Sequence, residues 1–84
     1  MANVYLFTRY GVEVFFDASS GDLEDAVFKA LDDIANENGS IDCNMQRAGS
    51  AFGSRYESYY DSIEDTEKAG AEMEAYINSM NFKE

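Results

Sequence analysis

The sequence Glu-Val-Phe-Phe-Asp at 13–17 returns as Glu-Ser-Tyr-Tyr-Asp at 57–61. Each copy sets two adjacent aromatic rings among carboxylates, and no other feature constrains the fold as tightly. Adjacent rings with acids at alternate positions fit a β-strand, which sends successive side chains to opposite faces. One ring of each pair then enters a core, and the other is displayed among acids. Phe16 and Tyr60 are the expected core rings. Phe15 stands with Glu13 and Asp17, and Tyr59 with Glu57 and Asp61, on the other face.

The first echo ends a hairpin. Residues 3–10 and 11–18 are rich in β-branched and aromatic side chains, and Gly11 marks a turn between them. A two-residue loop at Tyr10-Gly11 places Arg9 opposite Val12, Phe7 opposite Val14 and Tyr5 opposite Phe16. Val4 and Leu6 then share the outer face with Glu13, Phe15 and Asp17. A slip of one residue would exchange the faces.

Residues 19–39 form the clearest helix. Ser19 or Ser20 caps it, and acids in the first turn suit the positive end of its dipole. Leu23, Val27, Ala30, Leu31 and Ile34 make one apolar stripe at helical spacing. Asp22, Asp25, Lys29, Asp32 and Asn36 lie opposite, with Phe28 beside the acids as a candidate anchor. Asn38-Gly39 is a left-handed stop. Ile41, Cys43 and Met45 then alternate with polar residues, as in a half-buried strand. A second aromatic strand follows, and a second helix from about Asp65 to Met80 presents Ala69, Met73, Ile77 and Met80 on one face.

This order suggests an internal duplication. The echo repeats at an offset of 44, Ala26 and Ile34 match Ala69 and Ile77 at 43, and Arg9 and Gly11 match Arg47 and Gly49 at 38. The shorter offset assigns extra loop residues to the Gly/Ser segment 49–54, where insertions cost little. The expected fold is α+β and two-layered: a ββα-ββα duplication giving a four-stranded antiparallel sheet with both helices on one face. One domain spans 1–84, with units at 1–38 and 39–84. Ile41, Cys43 and Met45 join Tyr5, Phe7, Val12, Val14, Phe16 and Tyr60 beneath the helices.

Composition narrows function. With 45% hydrophobic residues the chain can build a core, but at 84 residues only a small one. The start carries no basic signal-peptide region and no apolar run is long enough to span a bilayer, so a soluble, cytoplasmic protein is expected. A single Cys43 allows no internal disulfide, in keeping with a reducing compartment. Seventeen acids against six bases give a net charge of −11, which disfavours nucleic acid and anionic membrane and favours basic surfaces.

Catalysis is not expected. There is no His, hence no Ser/His/Asp or Cys/His arrangement and no HExxH helix. The stretch around Gly39 has EF-hand-like spacing, but Ile34 and Met45 fall where the first and last acidic ligands belong, so no metal or cofactor is expected. The segment Gly-Ser-Ala-Phe-Gly-Ser lacks the Lys and spacing of a P-loop. Arg9, Arg47 and Arg55 fall near the hairpin ends and form either a basic edge or local relief of repulsion.

The candidate binding residues are therefore two sets. Glu13, Phe15, Asp17, Glu57, Tyr59 and Asp61 occupy the exposed sheet face. Asp22, Asp25, Asp32 and Asp33, with Phe28 alongside, form a helical row that could imitate a phosphate track, as could Glu67 and Glu74. With those acids spread over most of a small, Cys-poor chain, the protein resembles phage-encoded inhibitors of host defence, the anti-restriction and anti-CRISPR proteins, some of which mimic DNA. The resemblance implies a non-enzymatic inhibitor that occludes a basic nucleic-acid-binding protein or complex in the host cytoplasm. The six bases and the mixed aromatic face depart from a pure DNA mimic. The alternative is a small accessory module that forms a homodimer through its outer sheet face.

Overall fold

The computed structural model describes the backbone of residues 2–8, 10–47 and 53–80, and the side chains of 10–47 and 53–80. Its elements run β1 (Ala2–Thr8), β2 (Gly11–Phe16), α1 (Gly21–Glu37), β3 (Asp42–Gln46), β4 (Ser54–Tyr59) and α2 (Ile63–Ser79).

Both helices start as polar side chains satisfy their open N–H groups. Ser20 Oγ accepts from the Leu23 amide at 3.1 Å, and Ser62 Oγ from the Asp65 amide at 3.1 Å. α1 stops in a Schellman turn: Ser40 N–H donates to Ala35 O at 3.0 Å and Gly39 N–H to Asn36 O at 3.1 Å. Gly39 takes the left-handed conformation this turn requires, with φ 77°. Buried Asn38 then ties the helices together, its Nδ2 donating to Ile34 O at 2.8 Å and Glu72 Oε1 at 2.9 Å.

Val12, Val14 and Phe16 of β2, with Tyr56 of β4 and Tyr60 beyond it, form one apolar cluster with Val27, Phe28, Leu31, Ala35, Ala69, Met73 and Ile77. The core rings Phe16 and Tyr60 are those the echo marks as inward. Between them the strands bury Ser54 and Ser58 as well, and Ser58 Oγ accepts from the Tyr60 hydroxyl at 2.7 Å. α2 lies across β1 and β2, and α1 over β4.

The expected fold needs correcting in two respects. Hydrogen bonds join the strands in the order β1-β2-β4-β3, but the helices pack on β1, β2 and β4, so the layer beneath them is three-stranded and not the four-stranded one expected. β3 is exposed along its whole length. Ile41 is 61% and Met45 46% exposed, so the alternation of Ile41, Cys43 and Met45 does not place them beneath the helices. The reason is reach: no helix crosses β3 as α2 crosses β1.

The elements follow the expected ββα-ββα order, but the structure does not show the duplication. Ala26 is exposed whereas its match Ala69 is fully buried, and Ile34 is half-buried against the core where Ile77 is inside it. Shared strand and helix periodicity produces such sequence matches without equivalent units. Arg9 and the segment 49–52 lie outside the described residues.

The first hairpin also has another register. Val4 pairs with Val14, Tyr5 with Glu13 and Thr8 with Gly11, with an irregularity between Tyr5 and Thr8. Gly11 is therefore a strand residue paired with Thr8 and not part of the turn, which moves Val4 to the register of the core-forming residues and Tyr5 to that of the outer face. The side chains of Tyr5, Leu6 and Phe7 lie outside the described residues.

Candidate functional site

The two sets of candidate residues meet different fates. On the outer sheet face, β2 and β4 pair in a register that sets Glu13 directly opposite Glu57, and Phe15 opposite Arg55. Like charges at opposed positions repel, and here a cation resolves the conflict. Arg55 Nη2 lies 2.9 Å from Glu57 Oε2, and its Nε lies 2.9 Å from Glu13 Oε2 as a charge contact without hydrogen-bond alignment. Its guanidinium carbon stands 6.0 Å from the centre of the Phe15 ring.

Asn44 Nδ2 donates to Glu57 Oε1 at 3.2 Å, and the Tyr59 hydroxyl is 3.5 Å from Glu57 Oε2. The Glu57 side chain is left only 9% exposed. Burial, followed by the Glu57 charge, pushes the Tyr59 phenol above its ordinary range. Glu13, Phe15, Glu57 and Tyr59 thus come together on one face, with one of the two carboxylate charges offset by Arg55. Asp17 and Asp61 are exposed just beyond the strand ends.

Phe28 is a correction. It is 3% exposed and belongs to the core, edge-on to Phe16 with centroids 5.2 Å apart. The Arg47 guanidinium covers its ring at 5.3 Å. Arg47 also holds the first turns of α1, its Nη1 lying 2.8 Å from Glu24 Oε1 and 2.6 Å from Asp25 Oδ1. Buried Ser54 donates its hydroxyl to the other oxygen of Glu24. Arg47 and Arg55 therefore serve separate clusters of acids and form no common basic edge.

The α1 row remains on the surface. Asp22, Asp25 and Asp33 are exposed, and Asp32 is half-buried. Lys29 lies 3.5 Å from Asp33, with both side chains largely in water. Asp32 accepts from the Tyr56 hydroxyl at 3.0 Å and faces the Cys43 thiol at 3.6 Å. Burial, followed by that hydrogen bond, drives the Tyr56 phenol far above its usual range, and burial also raises the Cys43 thiol.

Charge separates the two faces. The two helices hold eleven of the seventeen acids and two of the six bases, or nine of the eleven net negative charges. Sequence reasoning missed the roles of Arg47, Arg55, Glu24 and Tyr56, because each acts on a partner more than twenty residues away or across strands whose pairing no local pattern reveals.

Among the described residues no three His, Cys, Asp or Glu side chains converge as a metal site requires, and no helix is long and apolar enough to cross a membrane. No family model, curated protein or solved structure matches the chain.

Proposed function

We propose that this chain is a non-enzymatic inhibitor that binds a basic, nucleic-acid-handling protein complex, of the anti-CRISPR or anti-restriction type, through its helical layer. The observation that carries this reading is the segregation of charge: nine of eleven net negative charges lie on two adjacent helices. Such a layer steers a cationic partner over a distance comparable to the Debye length, about 8 Å at physiological salt. Exposed Asp22, Asp25 and Asp33, with Glu64, Glu67 and Glu74 on α2, are the residues assigned to contact.

The aromatic sheet face has a lesser part than the sequence suggests. Its carboxylates are held by Arg55 and Asn44, which weakens the alternative of a homodimer seam there.

The test is capture from bacterial lysate on the tagged chain at about 0.1 M and about 0.5 M salt, beside the variant carrying Asp22→Asn, Asp25→Asn, Asp32→Asn and Asp33→Asn. A basic nucleic-acid-binding complex retained at low salt, and lost both at high salt and on the variant, is the expected result. Identical capture by both proteins at both salts refutes the helical assignment.

A further inference from the structure

β3 is the one element whose surface neither the core nor the helical layer explains. It ends the sheet: among the described residues no strand lies beyond it, and all five of its residues are exposed. Terminal strands present unpaired backbone groups, and proteins ordinarily shorten, twist or cover them.

The ladder shows which groups face outward. Ile41 N–H reaches Tyr59 O at 2.8 Å, and Asp42 pairs with that same Tyr59. The alternation of an antiparallel ladder then turns Asp42, Asn44 and Gln46 toward β4, and Cys43 and Met45 toward the open edge. Consistent with this, the Cys43 N–H donates to the Asp42 side chain, at 2.9 Å, instead of to β4.

On its helix-facing side this edge carries Ile41, Cys43 and Met45, while Asp42, Asn44 and Gln46 share the outer face with Tyr59, Glu57 and Arg55. Ile41 and Met45 are two of the four large hydrophobic residues found exposed among those described. Cys43, between them, faces Asp32 of α1, and Arg47 at the end of the strand faces Asp25. The edge thus offers main-chain hydrogen bonds, two apolar contacts and the carboxylates of Asp32 and Asp42, with Asp25 already held by Arg47 at its end.

We infer that the open edge of β3 is a strand-addition site for an extended, Lys/Arg-bearing segment of the partner. This rests on the reading of the chain as a binder of a basic protein, and supplies its mode of binding. Main-chain bonds give such docking its affinity, and alternate side chains give its selectivity. Asp42 adds a filter. Its carboxylate occupies the Cys43 N–H and so guards the edge against a neutral strand. A cationic side chain draws that carboxylate away and exposes the N–H for pairing.

A second copy of the chain fits less well. It would bring two bodies of net charge −11 together over strands of only five residues, where like charge opposes association.

The probe is an acetylated, amidated peptide of alternating Lys and Val, seven residues long, followed by fluorescence anisotropy at low salt. Two further peptides carry N-methyl groups on its odd or its even residues, which removes hydrogen bonding along one edge and leaves the charge intact. The expected result is that one methylated peptide binds at least tenfold more weakly than the parent while the other matches it. The parent should also slow amide exchange at Cys43 and Met45. Equal binding by all three peptides, or none by any, overturns strand addition, as does a dimer of the free chain seen by sedimentation that the peptide does not displace.

Met45→Pro extends the test to the partner itself, since proline is tolerated where the N–H faces away from the ladder. With its fold verified by circular dichroism, this variant should lose capture at least tenfold. If only the four-Asn variant loses capture, the edge is not the site and the acidic-layer reading stands. If neither variant loses it, both fail.

Discussion

Among the described residues Arg55 is the one cation on the outer face of the sheet, and its removal gives a quantitative prediction. Arg55→Met keeps the aliphatic stem beside Phe15 but leaves Glu13 and Glu57 opposed with nothing between them. At an effective dielectric near 20, unit charges about 4 Å apart interact by about 4 kcal/mol, so the gross change is large. Desolvation offsets much of it. Breaking a fully buried pair costs about 3–5 kcal/mol, whereas an exposed pair contributes about 1 kcal/mol or less. Here the Glu57 and Glu13 side chains are 9% and 15% exposed but Arg55 is 35% exposed, an intermediate case.

The expected loss is about 2 kcal/mol, interpolated between those limits. For a chain of this size that is a fall of roughly 8–16 °C in Tm. Thermal and urea unfolding followed by circular dichroism measure it. Adding Glu57→Gln to Arg55→Met should restore about half of the loss, because it removes the repulsion that the first substitution exposes. The reasoning is refuted if Arg55→Met stays within about 0.5 kcal/mol of the unsubstituted protein, the range of an ordinary surface change, or if the double variant is no more stable than Arg55→Met.

Other positions give independent checks by the same unfolding assays. Phe28→Ala should cost about 3–4 kcal/mol as a core truncation; a change under about 0.5 kcal/mol would mean the ring is a surface anchor after all. Gly39→Ala should cost about 1 kcal/mol for its positive φ. Gly53→Ala should cost more, because its Cβ would also meet Asp17 and come within 2.9 Å of Phe16 O; equal losses would contradict that close approach. Tyr56→Phe should cost about 1.5 kcal/mol through the lost bond to Asp32. Tyr56 and Tyr60 have phenols raised above their ordinary value of 10.0 by burial, so the folded state resists ionising them while the unfolded chain does not. Stability should be flat with respect to these groups below pH 10 and fall as pH rises above it; unfolding free energies that stay constant into that range would contradict the burial of both rings.

Much of the fold was legible because it rests on local chemistry. The alternation around Phe16 and Tyr60, the stripe from Leu23 to Ile34, the Ser20 cap and the Asn38-Gly39 stop are each set by residues within a few positions of one another. What was not legible depends on long-range pairing. The register of β1 follows from the pairing of Gly11 with Thr8 and an irregularity before Thr8, which reading Gly11 as a turn residue misassigns. Phe28 looks exposed on a helical wheel, and its burial comes from Phe16 and Tyr56 of the sheet together with Arg47 over its ring. Ile41, Cys43 and Met45 carry the alternation of a half-buried strand, but burial needs a covering element, and no helix spans β3. For the candidate site, the acids of α1 are readable from spacing. That Glu13 and Glu57 oppose each other, and share Arg55, follows only from the pairing of β2 with β4.

The most direct test of the proposed function takes the complex captured by the tagged chain and titrates the chain into its binding to a labelled nucleic acid, read by anisotropy. The account predicts stoichiometric loss of nucleic-acid binding, weakened by salt and by the four Asn substitutions on α1. A captured complex that holds its nucleic acid equally well with the chain bound would contradict it.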